Sequence, residues 1–333
     1  MKGYIIVISF ISLCLGQIHA QQIPLSSQPL SNAYFFNPAA AGVQGYIDVS
    51  LGGRQQWTGI DNAPRTYFLY ANSALGKSGG KDFSYLSLPV SNPAYLDQLD
   101  AGKIKVKHAI GGRVFSDSYG AFAETGAGID YAIHLPLKEQ LYLAFGLGLQ
   151  FSNFFFDRDK ATVLDPNDPT YDQFLSGKDS EFLINGRFGA YLYSDKLRIG
   201  YALNQLIPND LGSSNSDQVY AGLKVHHFAN LSYRFSLKKS GLSPSFSTSF
   251  TANSPMSIYA GLLFDYQRKF LVSAAYRNDQ SLVFGIGFTI VKIVRLSYTY
   301  DVPSSSLSNV SSGSHELLIK LMLNRNKSTN ERP

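Results

Sequence analysis

Apolar residues in this chain recur at every second position, run after run. Leu141, Leu143, Phe145, Leu147, Leu149 and Phe151 alternate with Tyr142, Ala144, Gly146, Gly148, Gln150 and Ser152. In an extended strand these two sets fall on opposite faces of a sheet. Leu282, Phe284, Ile286, Phe288 and Ile290 repeat the scheme, and so do Leu231, Tyr233, Phe235 and Leu237. Further rows are Ile258, Ala260, Leu262, Phe264 and Tyr266, then Val294, Leu296, Tyr298 and Tyr300, then Leu317, Ile319, Leu321 and Leu323. The runs are about nine to eleven residues long, which is what a tilted strand needs to cross a hydrocarbon layer. Beyond residue 20 no segment is long and apolar enough to cross as a helix.

Tight turn signals separate many of the runs: Pro136–Glu139, Ser194–Lys196, Gln267–Lys269 and Arg277–Gln280. Longer polar gaps alternate with them at Asp157–Lys178, Pro208–Gln218 and Pro303–Gly313. Strands are expected near 44–54, 65–75, 104–116, 120–134, 140–152, 181–193, 196–204, 219–238, 242–251, 257–267, 269–278, 281–291, 292–302 and 314–323. That makes about 14 strands, within a range of 12–16, and an even number is what a single-chain bacterial membrane barrel uses.

Alternation alone does not say which face is outside, because a soluble barrel keeps its large apolar residues within. Composition decides. Charged residues make up 16% of the chain, against ~25% in a typical soluble domain. Tyr and Phe number 21 and 23. The second face is rich in Gly, Ser, Ala, Thr and Gln with scattered charges, and large apolar faces recur on nearly every strand. The expected fold is therefore all-β, a transmembrane antiparallel up-and-down β-barrel whose apolar face meets lipid.

The first residues fix the compartment. Lys2, an apolar run from Tyr4 to Leu15 and the small Ala20 follow the order of a cleaved secretory signal. The expected division is a signal peptide at 1–20, an N-terminal extension at 21–43, the barrel at 44–323 and a polar tail at 324–333. Export of a β-barrel places it in the outer membrane of a Gram-negative cell, in contact with outer-membrane lipids. The one cysteine, Cys14, lies inside the signal, so the chain after residue 20 offers no disulfide and no thiolate metal ligand. The net charge of +5 is scattered, which does not fit nucleic-acid binding.

Chemistry-bearing patterns are sparse. His108, His134, His226, His227 and His315 show no zinc-site spacing. There is no G-x-S-x-G elbow and no P-loop. The sequence predicts no enzyme, no catalytic residue, no metal and no cofactor. A membrane-embedded hydrolase would require Ser, His and Asp to converge at a barrel rim.

Two segments stand apart from the alternation. Pro29–Gly42 reads PLSNAYFFNPAAAG, and Arg54–Thr66 reads RQQWTGIDNAPRT. Arg54, Trp57, Asp61 and Arg65 admit two readings. One is a docking or gating cluster at a barrel end, with Trp57 at the membrane–water interface. The other is a turn at Asp61–Pro64 with arginines pairing to interior carboxylates. Asn37 and Pro38 would plug the lumen or pack beneath it.

These segments resemble the PorP/SprF family of Bacteroidetes type IX secretion system membrane proteins, which opens with N-P-A-x-A-G and continues R-x-Q-W-x-G-I-D-x-A-P-x-T. Gly111–Asp117 with Gly120 is similar to the family's glycine–aspartate hairpin, and Asn167-Asp168-Pro169 to a loop element. Asn185–Gly189, Leu197–Tyr201 and Asn204–Leu206 resemble its central strand pair, and Ser314-His315-Glu316-Leu317 its terminal S-H-E strand. Two features depart from the pattern: Ala40-Ala41 stands where many members have Tyr-Ala, and the last strand ends at Leu323 instead of an aromatic residue.

The resemblance implies a non-enzymatic component of the type IX machine. It would support secretion or surface attachment of large surface proteins or adhesins, and gliding, by anchoring partners. Those partners would be periplasmic ring components and a secreted adhesin or other cargo. A small polar inner face leaves a second reading, a channel for small solutes. Asn37, Pro38, Arg54, Trp57, Asp61, Pro64, Arg65, His315 and Glu316 are the candidate docking or structural residues.

Overall fold

The computed structural model describes residues 26–75, 106–161, 179–210 and 222–323, apart from 139, 208, 253, 268, 280, 292 and 305. The expected signal peptide, the polar tail and the Asn167-Asp168-Pro169 element lie outside the described residues. Fourteen strands form the wall: β1 (Ile47–Gln55), β2 (Arg65–Leu75), β3 (Lys107–Tyr119), β4 (Phe122–Lys138), β5 (Leu141–Phe156), β6 (Ser180–Tyr193) and β7 (Leu197–Asn204). They continue with β8 (His226–Tyr233, resuming as Phe235–Ser236), β9 (Ser240–Thr251), β10 (Ser257–Tyr266), β11 (Phe270–Arg277), β12 (Ser281–Val291), β13 (Val294–Pro303) and β14 (Ser314–Leu323). Each pairs antiparallel with its sequence neighbours, and β1 pairs with β14, so the sheet closes on itself. Closure leaves no edge strand with unpaired backbone groups, which lipid would not satisfy.

The alternation resolves as large apolar residues outside. Ile129, Leu147 and Phe182 are 65%, 63% and 68% exposed, while their inward neighbours Asp130, Gly146 and Leu183 are buried. A soluble protein could not carry such a continuous apolar exterior. In a bilayer it is the lipid-facing belt.

One expected strand, 219–238, is shorter and interrupted. Gly222–Leu223 pairs with Asn209–Asp210 in a separate small ladder, and the wall resumes at His226. The break falls at Arg234, where pairing with β7 ends at Tyr233↔Leu197 and the remaining rungs go only to β9. Arg234 itself turns inward onto Asp265, at 2.6 Å.

The two barrel ends differ. At one, the connections 139–140, 194–196, 237–239, 267–269 and 292–293 are tight. At the other lie 56–64, 157–179, 205–225 and 304–313, together with the hairpin turn at Gly120. The longest connection, 76–106, breaks the expected asymmetry, because it joins β2 to β3 at the tight-turn end. At the loop end β4 and β5, with 17 and 16 residues, outrun the ~9–11 needed to cross the bilayer. They form a raised lip whose inner side is lined by Phe122, Phe154, Phe156 and Leu183.

Inside the wall lies the N-terminal segment. From Ser26 to Val43 nearly every residue is buried. It carries one helical turn, α1 (Ala33–Phe36), and a 3-10 turn at Pro38–Ala40. Pro38 opens that turn, where its missing N–H is no loss, and the Asn37 side chain caps it by accepting from the Ala39 amide at 2.9 Å.

Candidate functional site

The barrel's distinctive chemistry is the set of contacts that hold this plug. Four inward positions near the loop end converge first. Arg54 is next to last in β1, Arg277 ends β11, Asp301 lies near the end of β13 and Glu316 near the start of β14. Arg54 pairs with Asp301 at 2.8 Å and with Glu316 at 3.5 Å, and Arg277 reaches Asp301 at 2.9 Å. The plug completes the cluster. The Ser27 amide and the Ser26 hydroxyl each donate to Glu316 at 2.7 Å, while the Ser27 hydroxyl donates to Asp301 at 2.6 Å and accepts from Arg54. Buried charges are tolerated only when paired and hydrogen-bonded in this way.

Mid-barrel, a second cluster grips α1. The Tyr34 hydroxyl donates to Asp130 at 2.6 Å, and Arg187 pairs with the same carboxylate at 3.3 Å. Arg187 also donates to the Phe35 carbonyl at 2.8 Å, and Asn204 to the Phe36 carbonyl at 3.1 Å. These side chains satisfy carbonyls that so short a helix leaves without internal partners. Burial, with the nearby Asp130 charge adding to it, pushes the Tyr34 phenol far above its ordinary range, so it remains a donor. Phe36 stacks on Phe228 with centroids 4.6 Å apart, and Phe35 packs on Phe68 at 4.7 Å.

Toward the tight-turn end, Lys320 pairs with Asp48 at 2.8 Å and donates to the Ser31 carbonyl at 3.0 Å. Asn37 donates to the Ala190 and Tyr201 carbonyls of β6 and β7. Gly146 and Gly189 leave the room: a Cβ on either would collide with Ala39 or with Asn37. Gly42 then bonds Asn72 at 2.9 Å before the chain enters β1.

The candidate residues therefore separate into groups. Arg54 and Glu316 meet in the loop-end cluster, and Asn37 and Pro38 lie in the lumen. His315 points outward, its ring bonded to Tyr298 at 2.7 Å. Trp57 and Asp61 lie on the β1–β2 loop and Arg65 opens β2, all three exposed and apart from the cluster, and Pro64 is half-buried beside the sealed Ala63. That loop is rigidly tied. Thr58 exchanges backbone bonds with Gly313 and Ser312 at 2.8 and 2.7 Å, and Asn62 accepts from Gly120 at 3.0 Å. Trp57 and Asn62 take left-handed backbone angles, φ 46° and 54°, which are uncommon for a large side chain such as Trp.

Sequence reading missed Ser26, Ser27, Tyr34, Asp130 and Arg187. The signal for the last two was charge on a strand's small-residue face. Nothing marked the two serines. Among the described residues no group of three or more His, Cys, Asp or Glu is placed to hold a metal ion.

A family model described as type IX secretion system membrane protein PorP/SprF matches residues 18–321. No curated protein matches the chain. Among solved structures, the monoaromatic hydrocarbon channel CymD is similar at 12% identity, with 91% of this chain and 93% of that one covered and a TM-score of 0.47. The Pseudomonas putida (P. putida) toluene transporter TodX aligns at 10% identity over 89% and 95%, TM-score 0.45. The Acinetobacter baumannii outer membrane protein Omp33 aligns at 10% identity over 84% and 98%, TM-score 0.44.

Proposed function

The chain belongs to the PorP/SprF family of type IX secretion system membrane proteins, and we propose that within that system it is a non-enzymatic anchor in the outer membrane. It supports secretion or surface attachment of large surface proteins such as adhesins, and through them gliding. Its partners on this reading are the secreted cargo on the loop side and periplasmic ring components on the other. The observation that carries the proposal is the occupied lumen: residues 26–43 lie inside the barrel and are hydrogen-bonded to β1–β4, β6, β7, β13 and β14, where a solute channel would need an open path. The tied β1–β2 loop adds to it. A backbone held in a left-handed conformation to display Trp57 suits recognition, because such strain persists where surrounding structure imposes it.

The test is deletion of the gene, scored by surface display of large secreted proteins, with affinity purification from outer membranes to identify what the barrel carries. Unchanged display in a strain without paralogues, together with no co-purifying secretion component, overturns the reading.

A further inference from the structure

The tight-turn end carries a partial ring of lysines. Lys138 lies at the β4–β5 turn, Lys196 at β6–β7, Lys238 and Lys239 at β8–β9 and Lys269 at β10–β11, and all five are exposed. None is paired with a carboxylate among the described residues. Asp195, and Glu139 by sequence, are the acidic residues in those turns. The loop end is different. There Arg158 pairs with Asp179 at 2.6 Å and Lys160 with Asp157 at 2.7 Å, so these two basic residues meet acids of their own.

At three of the four turns the lysines sit beside exposed apolar side chains. Leu137 and Leu237 are 50% and 53% exposed, and Tyr266 and Phe270 flank the Lys269 turn. These apolar tips continue the lipid-facing belt to its lower rim. An apolar tip beside a lysine fits the boundary between acyl chains and headgroups, where the stem lies along hydrocarbon and the ammonium reaches phosphate. Short turns of bacterial outer-membrane barrels face the periplasm.

We propose that this ring binds the phosphates of anionic phospholipids in the periplasmic leaflet and fixes the depth of the barrel in the membrane. A protein partner would need the apolar tips for its own contacts, whereas Leu137, Leu237, Tyr266 and Phe270 adjoin the outward apolar rows that lipid already covers.

The experiment uses the full-length protein in nanodiscs of mixed phosphatidylethanolamine and phosphatidylglycerol, with mass spectrometry of the lipids retained on the protein. Wild type and a loop-end control (Arg158→Gln with Lys160→Gln) should retain phosphatidylglycerol preferentially. A variant carrying Lys138→Gln, Lys196→Gln, Lys238→Gln, Lys239→Gln and Lys269→Gln should lose that preference by at least roughly fivefold, the worth of one lysine at an anionic surface. Raised salt should weaken it in wild type. If the variant does not fold, acetylation of lysines on the folded protein replaces it, with charge-preserving methylation as the control. Equal retention by charged and neutralised proteins overturns the proposal. So does a neutralised protein that keeps its lipid and instead loses an acidic periplasmic protein in pull-downs.

Discussion

Arg54 and Glu316 are register partners across the seam where the first strand meets the last, and both turn inward onto Ser27 of the plug. Neither contact is a surface ion pair, since both side chains are buried.

Removing Arg54 should therefore be severe. It leaves Asp301 and Glu316 close together with one fewer cation, and breaking a buried pair costs about 3–5 kcal/mol. Arg54→Ala should lower the urea midpoint in detergent accordingly. Glu316→Gln should cost less, because its one carbonyl oxygen still accepts from the Ser27 amide while its NH2 can donate to the Ser26 hydroxyl oxygen in place of accepting from it. Equal midpoints for the two variants would contradict this ordering.

The plug should govern conductance. Wild type is expected to give no channel steps in planar bilayers, and a protein lacking residues 26–43 to give them if its barrel assembles. Gly189→Leu reaches the same point more gently. Its side chain would occupy the space of Asn37, an overpacking worth about 1–3 kcal/mol, and should make the plug accessible to protease in a barrel that still shows heat-modifiable mobility.

Tyr34→Phe removes one donor from Asp130 while leaving Arg187 in place, so the loss should be about 1–3 kcal/mol. The pH dependence has a definite sign. Below pH ~10 the phenol is protonated whether the plug is docked or free. Above it only the free phenol ionises, because burial raises the docked one. Plug protection against protease should then fall with rising pH in wild type, and less steeply in Tyr34→Phe.

Trp57→Gly separates recognition from stability. Glycine takes the left-handed backbone without strain, so the unfolding midpoint should stay within about 1 kcal/mol of wild type or rise. Recovery of secreted partners in affinity purification should drop. Full partner recovery would remove the β1–β2 loop from the docking surface.

The wall was legible because a two-residue period repeats in a strand whatever surrounds it. Leu282–Ile290 needed only its own sequence to declare two faces, and low charge declared which of them met lipid. The interruption at Arg234 was not legible, since where pairing with β7 stops and only β9 remains depends on how far each neighbour extends. Of the site, Arg54 and Glu316 stood out through motifs at opposite ends of the chain, but their meeting depends on closure of the sheet. Ser26 and Ser27 were invisible. Small polar residues in a non-periodic segment gain meaning only from the carboxylates that three-dimensional structure brings to them. Trp57, Asp61 and Arg65 sit close to Arg54 in sequence, but the first two lie on the loop, where the inward face has stopped, and Arg65 falls on the outward face of β2.

The loop-end latch draws one ligand from the first strand and two from the last pair, so it does not exist until the chain's two ends have met. A nascent wall that stalls before β14 inserts has nowhere to lodge Ser26 and Ser27, and residues 26–43 then hang as an unprotected strand of polypeptide within reach of periplasmic proteases. Docking of Ser26 and Ser27 thus requires the closed sheet, and residues 26–43 of an incompletely inserted barrel are expected to be cut by added protease before those of a finished one.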